Sequence, residues 1–375
     1  MLRPGSHMYR LVLLLSVSGE FPCGSLGILG DTRTVKAMLH KMESVQKIKI
    51  AADGPVLSTR LFQASGRGGA RTVRLYKGAL GLLDGLHPDA LGYYLTAYPG
   101  NRFSGSRPHI ERNHRAGEAL AMCMMAGIEI APYMLPRLQK EKARTIRFES
   151  GMYYMARNIK SVCKAELNKT IYTRTVGLLL YQGGSYAVYN TRGSAMKWGG
   201  SGEQDAQVGL SDIVRMNTVQ DDVGSAILFG TDAAIALATM LDTEKNDSRQ
   251  AAFSRIYPHI HFVPMNEDGI DLLKILTLPD WNEMLLRALF KPEMRIHGFT
   301  SVECDAFWNG TRYYSHIDGD IARLSRLYKA LPSHPAPFEV LCLPWQSGFL
   351  RQYLGSAVVI KQIEMGKVKS ALGIE

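Results

Sequence analysis

Apolar positions along the chain fall into two regimes, helical spacing in the first third and short strand-length runs further on. Tyr9 to Ser18 ("YRLVLLLSVS") predicts a helix, Pro22 to Gly30 ("PCGSLGILG") a second, and "DTRTVKAMLHKMESVQ" a third. Asp31 or Thr32 is expected to cap the third helix, with Val35, Met38, Leu39 and Met42 on its apolar stripe. "KIKIA" and "STRLFQA" then read as strands, followed by the basic glycine-rich "SGRGGART" and by "VRLYKGALGLLDGL", so that two strands flank a basic loop. After the Gly/Ser/Pro-rich "YPGNRFSGSRP", Arg112 to Ala126 predicts a connecting helix. Ala116, Ala119, Leu120 and Met124 lie on one face, and Arg112, His114, Arg115 and Glu118 on a solvated face.

From Thr170 onward strands and helices alternate. "TVGLLL" and "SYAVYN" form a hairpin through Gln182-Gly183-Gly184. "SAILF" leads into "GTDAAIALATML", "HIHFVP" into "DGIDLLKIL", and "FEVLCLP" through "WQSGFLRQYLG" to "AVVIKQI". The expected fold class is α+β with an α/β part: an N-terminal winged helix-turn-helix over 9–97, a connection over 98–169, and an α/β domain around one mixed sheet over 170–375. Residues 1–8 ("MLRPGSHM") resemble a cloning remnant.

The 46% hydrophobic and 21% charged composition suits a globular chain, and the apolar run Leu11 to Val17 falls short of the roughly 20 residues of a membrane span. Cys23, Cys123, Cys163, Cys304 and Cys342 contain no C-x-x-C pair, which speaks against a disulfide framework or structural zinc site and suits a reducing cytoplasm. The net charge of +10 is confined to the front. Residues 1–150 hold 21 Lys+Arg against 11 Asp+Glu, and the remainder holds 23 of each. Such asymmetry is the footprint of a module that meets a polyanion. Thr32, Arg33, Thr34, Lys36 and Lys41 on the third helix are the candidate groove contacts, and Arg67, Arg71 and Arg74 the candidate wing contacts. The plain alternative is a set of solvated charges.

Helix-turn-helix, wing, "RLYKGALGLL" and "HIERNHRAGEALAMCMMAGIEI" together resemble the replication-relaxation family of plasmids and integrative conjugative elements. The resemblance covers roughly residues 9 to 130. It implies a non-catalytic accessory factor that binds double-stranded DNA in replication or conjugative mobilisation. Relaxase or replication proteins are candidate partners in that setting; the charge-balanced back half suggests a homodimer, the short apolar run no membrane association, and no cofactor is expected. The resemblance further implies a C-terminal domain related in fold to restriction-type nucleases. Those enzymes need (D/E)-x-K to hold Mg²⁺ and position water, and no Asp or Glu in this chain has Lys two residues on; Asp31-Thr-Arg, Asp247-Ser-Arg and Glu293-Met-Arg are the near forms.

His259-Ile-His261 offers a second, enzymatic reading. On a strand both imidazoles share a face, about 7 Å apart at the Cα positions. The pattern is similar to the metal motif of HUH endonucleases, which implies Mg²⁺ or Mn²⁺ on His259 and His261 and a nucleophilic tyrosine such as Tyr328, although no lysine stands three residues beyond it. Tyr313 and Tyr314 sit in a predicted strand. "FGTDAAIA" is similar to a phosphate turn but is better explained by Thr231 or Asp232 capping a helix, and Asp318 and Asp320 in "HIDGDIARL" by the same role.

Overall fold

The structure is a computed structural model that describes residues 3–49, 56–141, 145–162, 174–198, 201–245, 253–296, 302–334 and 336–374. Cys163, Asp247 and the end of the expected strand "KIKIA" lie outside the described residues. The chain forms two compact units, Met1–Arg137 with Met152–Asn158, and Leu138–Gly151 with Ile159–Glu375. No described helix is long and apolar enough to cross a membrane.

In the first unit α1 (His7–Ser18) is the central rod. Leu11, Val12, Leu14, Leu15 and Val17 are fully buried, so the apolar run that is too short for a membrane is instead enclosed by protein on several sides. Ser6 caps this helix at Tyr9 N, and the His7 ring lies against Leu29 O, so these two residues are part of the folded unit. A short strand β1 (Glu20–Pro22) follows. Where the sequence predicts a second α-helix, Cys23–Leu29 winds as a 3₁₀ segment, since three glycines in nine residues weaken the α form. The helix α2 (Thr32–Met42) starts at the expected Asp31 cap.

The expected strand "STRLFQA" is broken in two. β2 (Gln46–Ile48) pairs with β3 (Leu57–Thr59), while β4 (Phe62–Ser65) pairs with β5 (Thr72–Leu75). The break falls at Leu61, whose N–H bonds Met42 O and whose carbonyl accepts from Tyr76 N. β1, β5 and β4 form an antiparallel sheet in that order. A 3₁₀ stretch (Lys77–Gly85), α3 (Ala90–Ala97), α4 (Arg107–Met125) and β6 (Met152–Met155) complete the unit, with the start of α5 (Ala156–Lys160). The helix expected to be a solvated connector therefore belongs to the core. α4 buries His114 against Glu20 at 2.7 Å and Glu118 against Ser25 at 2.5 Å, because these polar groups find partners on β1 and the 3₁₀ segment.

The second unit replaces the one mixed sheet expected from sequence by two sheets of like design. β7 (Thr175–Tyr181) and β8 (Gly184–Arg192) form the expected hairpin. After α6 (Ser201–Asn217), β9 (Ser225–Gly230) joins β8 in parallel; after α7 (Ala233–Lys245) and α8 (Phe253–Ile256), β10 (His259–Pro264) joins β9 in parallel. α9 (Glu267–Leu276) and α10 (Trp281–Leu289) lead to the second set. Here β11 (Ala306–Trp308) and β12 (Thr311–Ser315) are antiparallel. α11 (Ile321–Ala330), β13 (Phe338–Cys342), α12 (Ser347–Leu354), β14 (Val359–Gln362) and α13 (Met365–Leu372) repeat the parallel additions. Within this unit the strands of each sheet are a hairpin extended by two parallel strands, and the helices between those strands are the crossovers that parallel pairing requires.

The two sheets meet where β10 runs beside residues 316–320. Phe262 N–H bonds Gly319 O at 2.9 Å. Gly319 has φ +68°, and a Cβ there would stand 2.7 Å from Phe262 O, so only glycine lets the Asp318-Gly319-Asp320 turn pass this close. This seam places the histidines of one sheet against the carboxylates that follow β12 of the other.

Candidate functional site

In the first unit, α2 turns Thr32, Arg33, Thr34, Lys36 and Lys41 to solvent while Val35, Leu39 and Met42 face the core. Asp31 Oδ1 accepts from Thr34 N at 2.8 Å and from Thr34 Oγ1 at 2.7 Å, and these bonds hold the Asp31 carboxyl below its usual range. The Thr34 hydroxyl proton is thereby committed to the cap. The side chains of Arg33, Lys36, Lys41 and Arg67 make no hydrogen bond or ion pair with other described residues. Arg71 is exposed but stands 3.8 Å from Glu43. Arg74 departs from the expected wing role: it sits half-buried on β5, the middle strand, and reaches Gln63 Oε1 at 3.4 Å. Its position follows from strand pairing, since the Cα partners of Arg74 are Glu20 and Gln63. Gly66, at φ +83°, closes the basic loop in a conformation where a Cβ would lie 2.6 Å from Ala70 O. Lys36, His40, Glu43, Gly68 and Arg71 line a groove of about 340 Å³ beside Cys23 and Leu39.

In the second unit a pocket of about 320 Å³ is lined by Tyr181, Tyr186, Ser225, His259, His261, Trp281, Asn282, Asp305, Asp318 and Arg323. The sequence places His259 and His261 at the start of β10, and the structure keeps them on one face with rings parallel and 6.4 Å apart. Each ring is anchored through Nδ1. His259 Nδ1 lies 2.7 Å from Asp320 Oδ2 and His261 Nδ1 lies 3.0 Å from Asp318 O. Neither an ionised carboxylate nor a carbonyl can donate, so Nδ1 is the donor in both and Nε2 is left as the acceptor. His261 is almost fully buried between the edges of Tyr186 and Trp281, whereas the His259 side chain is 46% exposed.

Asp320 is the hub. Its Oδ1 accepts from Ile260 N, Ala322 N and Arg323 N, so it caps α11 as expected and also fixes β10. Burial works against its charge, but the bond from His259 and the nearby His261 and Arg323 together hold its carboxyl well below the usual carboxylate range. Asp318 is pushed the other way by burial. His259 is raised above its ordinary value by its hydrogen bond to Asp320. Arg323 gives Nη2 to Asp305 Oδ1 at 2.7 Å and Nε to Glu303 Oε2 at 3.3 Å, and its guanidinium lies over the Tyr314 ring. His316, fully buried with neither ring nitrogen hydrogen-bonded, is lowered by burial to about 3.

Ligand atoms of His261, Asp318 and Asp320 come within 4.8 Å of one another. Protein donors already occupy that group: Asp320 takes three backbone N–H bonds and His259, and Arg323 Nη1 stands 4.0 Å from Asp318 Oδ2. In the alternative metal pair, His259 and His261 share a face with rings parallel and 6.4 Å apart, and Asp320 and the Asp318 carbonyl hold their Nδ1 atoms. Tyr328, the nucleophile of that alternative, is on α11 with its ring tilted 4.6 Å from that of Tyr353, and lines a different pocket with Leu331, Pro332 and Phe338. Tyr314 is fully buried and lies in β12, as the sequence indicated for both tyrosines there. Asp232 Oδ1 accepts from Ala234 N at 2.9 Å, which accounts for "FGTDAAIA" as a capping turn.

Sequence reasoning missed the link between "HIHF" and "HIDGD". Both segments were singled out, but 61 residues separate His259 from Asp320, and their one shared signal was a pair of alternating polar residues in each. Compared with known proteins, the chain matches no family model, no curated protein and no solved structure.

Proposed function

We propose that the first unit is a winged helix-turn-helix that binds double-stranded DNA with a sequence preference. The observation that carries this reading is the set of uncommitted cations Arg33, Lys36 and Lys41 on the exposed face of α2, with Arg67 on the loop of the adjoining β4–β5 ribbon. α2 would enter the major groove by its N-terminal end, where Arg33 and Lys36 reach base edges, and Arg67 would meet phosphate. Arg71 and Arg74 contribute less, because Glu43 and the sheet hold them. The resemblance to replication-relaxation proteins supports an accessory role in replication or conjugative mobilisation of a mobile element. We assign no nuclease chemistry to the second unit, as no Asp or Glu has Lys two residues on.

Fluorescence anisotropy with DNA fragments selected from random duplexes tests this. Binding should tighten for the selected sequence and weaken steeply with salt; equal, salt-insensitive binding to every duplex, or none at low salt, refutes it. A charge-neutral second unit suits self-association that would double the readout. Light scattering on the full chain should then give a dimer at micromolar concentration, and a monomer removes this part of the reading.

A further inference from the structure

We propose that the second unit carries an acyl-transfer site in which Ser225 is the nucleophile, His259 its proton acceptor and Asp320 the residue that positions His259, with a neutral carboxylic ester as the substrate class. Ser225 opens β9 and His259 opens β10, and the two are Cα partners in the parallel register. Residues so paired lie about 4.8 Å apart on neighbouring strands with side chains on the same face. Both line the 320 Å³ pocket, and the Ser225 hydroxyl has no hydrogen-bond partner among the described residues. Asp320, immobilised by three backbone N–H bonds, fixes the His259 tautomer through Nδ1 at 2.7 Å and leaves Nε2 as the base. An alcohol on the strand position beside an imidazole that a buried carboxylate holds supplies the groups that acyl transfer needs.

The surroundings select the substrate. Asp305 and Asp318 line the pocket, and Arg323 is already shared among Asp305, Glu303 and Asp318, so a phosphate anion meets carboxylates and no uncommitted guanidinium. Tyr181, Tyr186 and Trp281 offer aromatic surface to a neutral acyl group. α10 opens at the pocket with Trp281 and Asn282, and no side chain caps its first turn, which leaves its N–H groups as donors for the developing oxyanion.

In the reaction Ser225 Oγ bonds the ester carbonyl carbon as its proton passes to His259 Nε2. The carbon–oxygen bond to the alcohol then breaks and the alcohol leaves with that proton. Water attacks the acyl-serine, gives one proton to His259 and releases the carboxylic acid, and the proton returns to Ser225. Ester and water become acid and alcohol, with no redox partner.

The test is treatment of the full-length protein with an alkyl fluorophosphonate, followed by peptide mass mapping, alongside hydrolysis of short p-nitrophenyl esters. The reagent should add to Ser225 with loss of fluoride. Labelling and turnover should fall by about 100-fold or more in Ser225→Ala and in His259→Gln. Turnover should rise with pH as His259 loses its proton, in the field of Asp320, Asp318, Arg323 and His261, and Asp320→Asn should move that midpoint down. A wild-type protein left unlabelled at Ser225, or a folded Ser225→Ala variant with undiminished turnover, overturns the assignment. An unshifted pH midpoint in folded Asp320→Asn overturns the positioning role of Asp320.

Discussion

The two units treat charge in opposite ways. On α2 and the basic loop, Arg33, Lys36, Lys41 and Arg67 stand in water with no described partner, so they add little to the stability of the fold and keep their interaction energy for something outside it. At the seam of the second unit Asp318, Asp320 and His261 are buried and Arg323 is largely so, and fixed partners hold them: His259 and three backbone N–H groups hold Asp320, the Asp318 carbonyl holds His261, and Asp305 and Glu303 hold Arg323. Charges of the second kind are coupled to folding, because removing one partner strands the other in a medium that solvates it poorly. In the roles proposed above, the same residue types serve recognition in one unit and architecture plus proton chemistry in the other.

Substitutions should separate the two regimes, and the largest effect belongs to the seam. Asp320→Ala deprives His259 of its partner and three backbone N–H groups of theirs, and should cost about 3–5 kcal/mol in urea or guanidinium unfolding. A loss below 1 kcal/mol would mean that the hub is not a structural element at all. Arg323→Met leaves Asp305 without its guanidinium and Glu303 with that of Arg326 alone, and should cost about 2–4 kcal/mol by the same measurement.

Next in size is a pH effect. His316, packed against Tyr314 and Phe349 and in the field of Asp320, Arg323 and His261, stays neutral in the fold down to about 3. The unfolded chain takes up that proton near 6.5, so this contribution is present above pH 6.5 and drains as pH falls. His259 has the opposite sign: raised by Asp320, its contribution is full below about 6.5 and is lost as pH rises through its folded value. The larger displacement of His316 should dominate, lowering stability by about 2 kcal/mol from pH 6.5 to pH 5. His316→Phe should flatten that decline. An equally steep decline in the variant would place its origin elsewhere.

The exposed cations should leave unfolding midpoints almost untouched and act on DNA alone. Arg33→Ala or Lys36→Ala should cost about 1–3 kcal/mol of binding to a preferred sequence and narrow the gap to other duplexes. Arg67→Ala should weaken all duplexes alike and reduce the salt slope by about one. A stability loss above 1 kcal/mol in any of these would break the contrast between the two regimes.

Features that depend on neighbours in the chain were open to reading from sequence. The apolar run of α1, the Asp31 cap of α2, the β7–β8 hairpin, the strands β9 and β10 and the cap at Asp320 each follow from periodicity or from a side chain reaching a backbone group a few residues away. Helical and strand periods and caps are local physics, and local sequence determines them. What tertiary structure alone decided is which distant segments share a seam. Ser225, His259 and Asp320 come together through a strand register and a turn that only Gly319 permits, and the division of the α/β part into two sheets depends on where crossovers return. The same holds for the losses: Arg74 was drawn into the middle of a sheet, α4 into the core, and Tyr328 onto Tyr353, because pairing and packing partners far along the chain set each side chain's surroundings. A sequence records which groups are present; the chemistry at the seam depends on distances that only the folded chain sets.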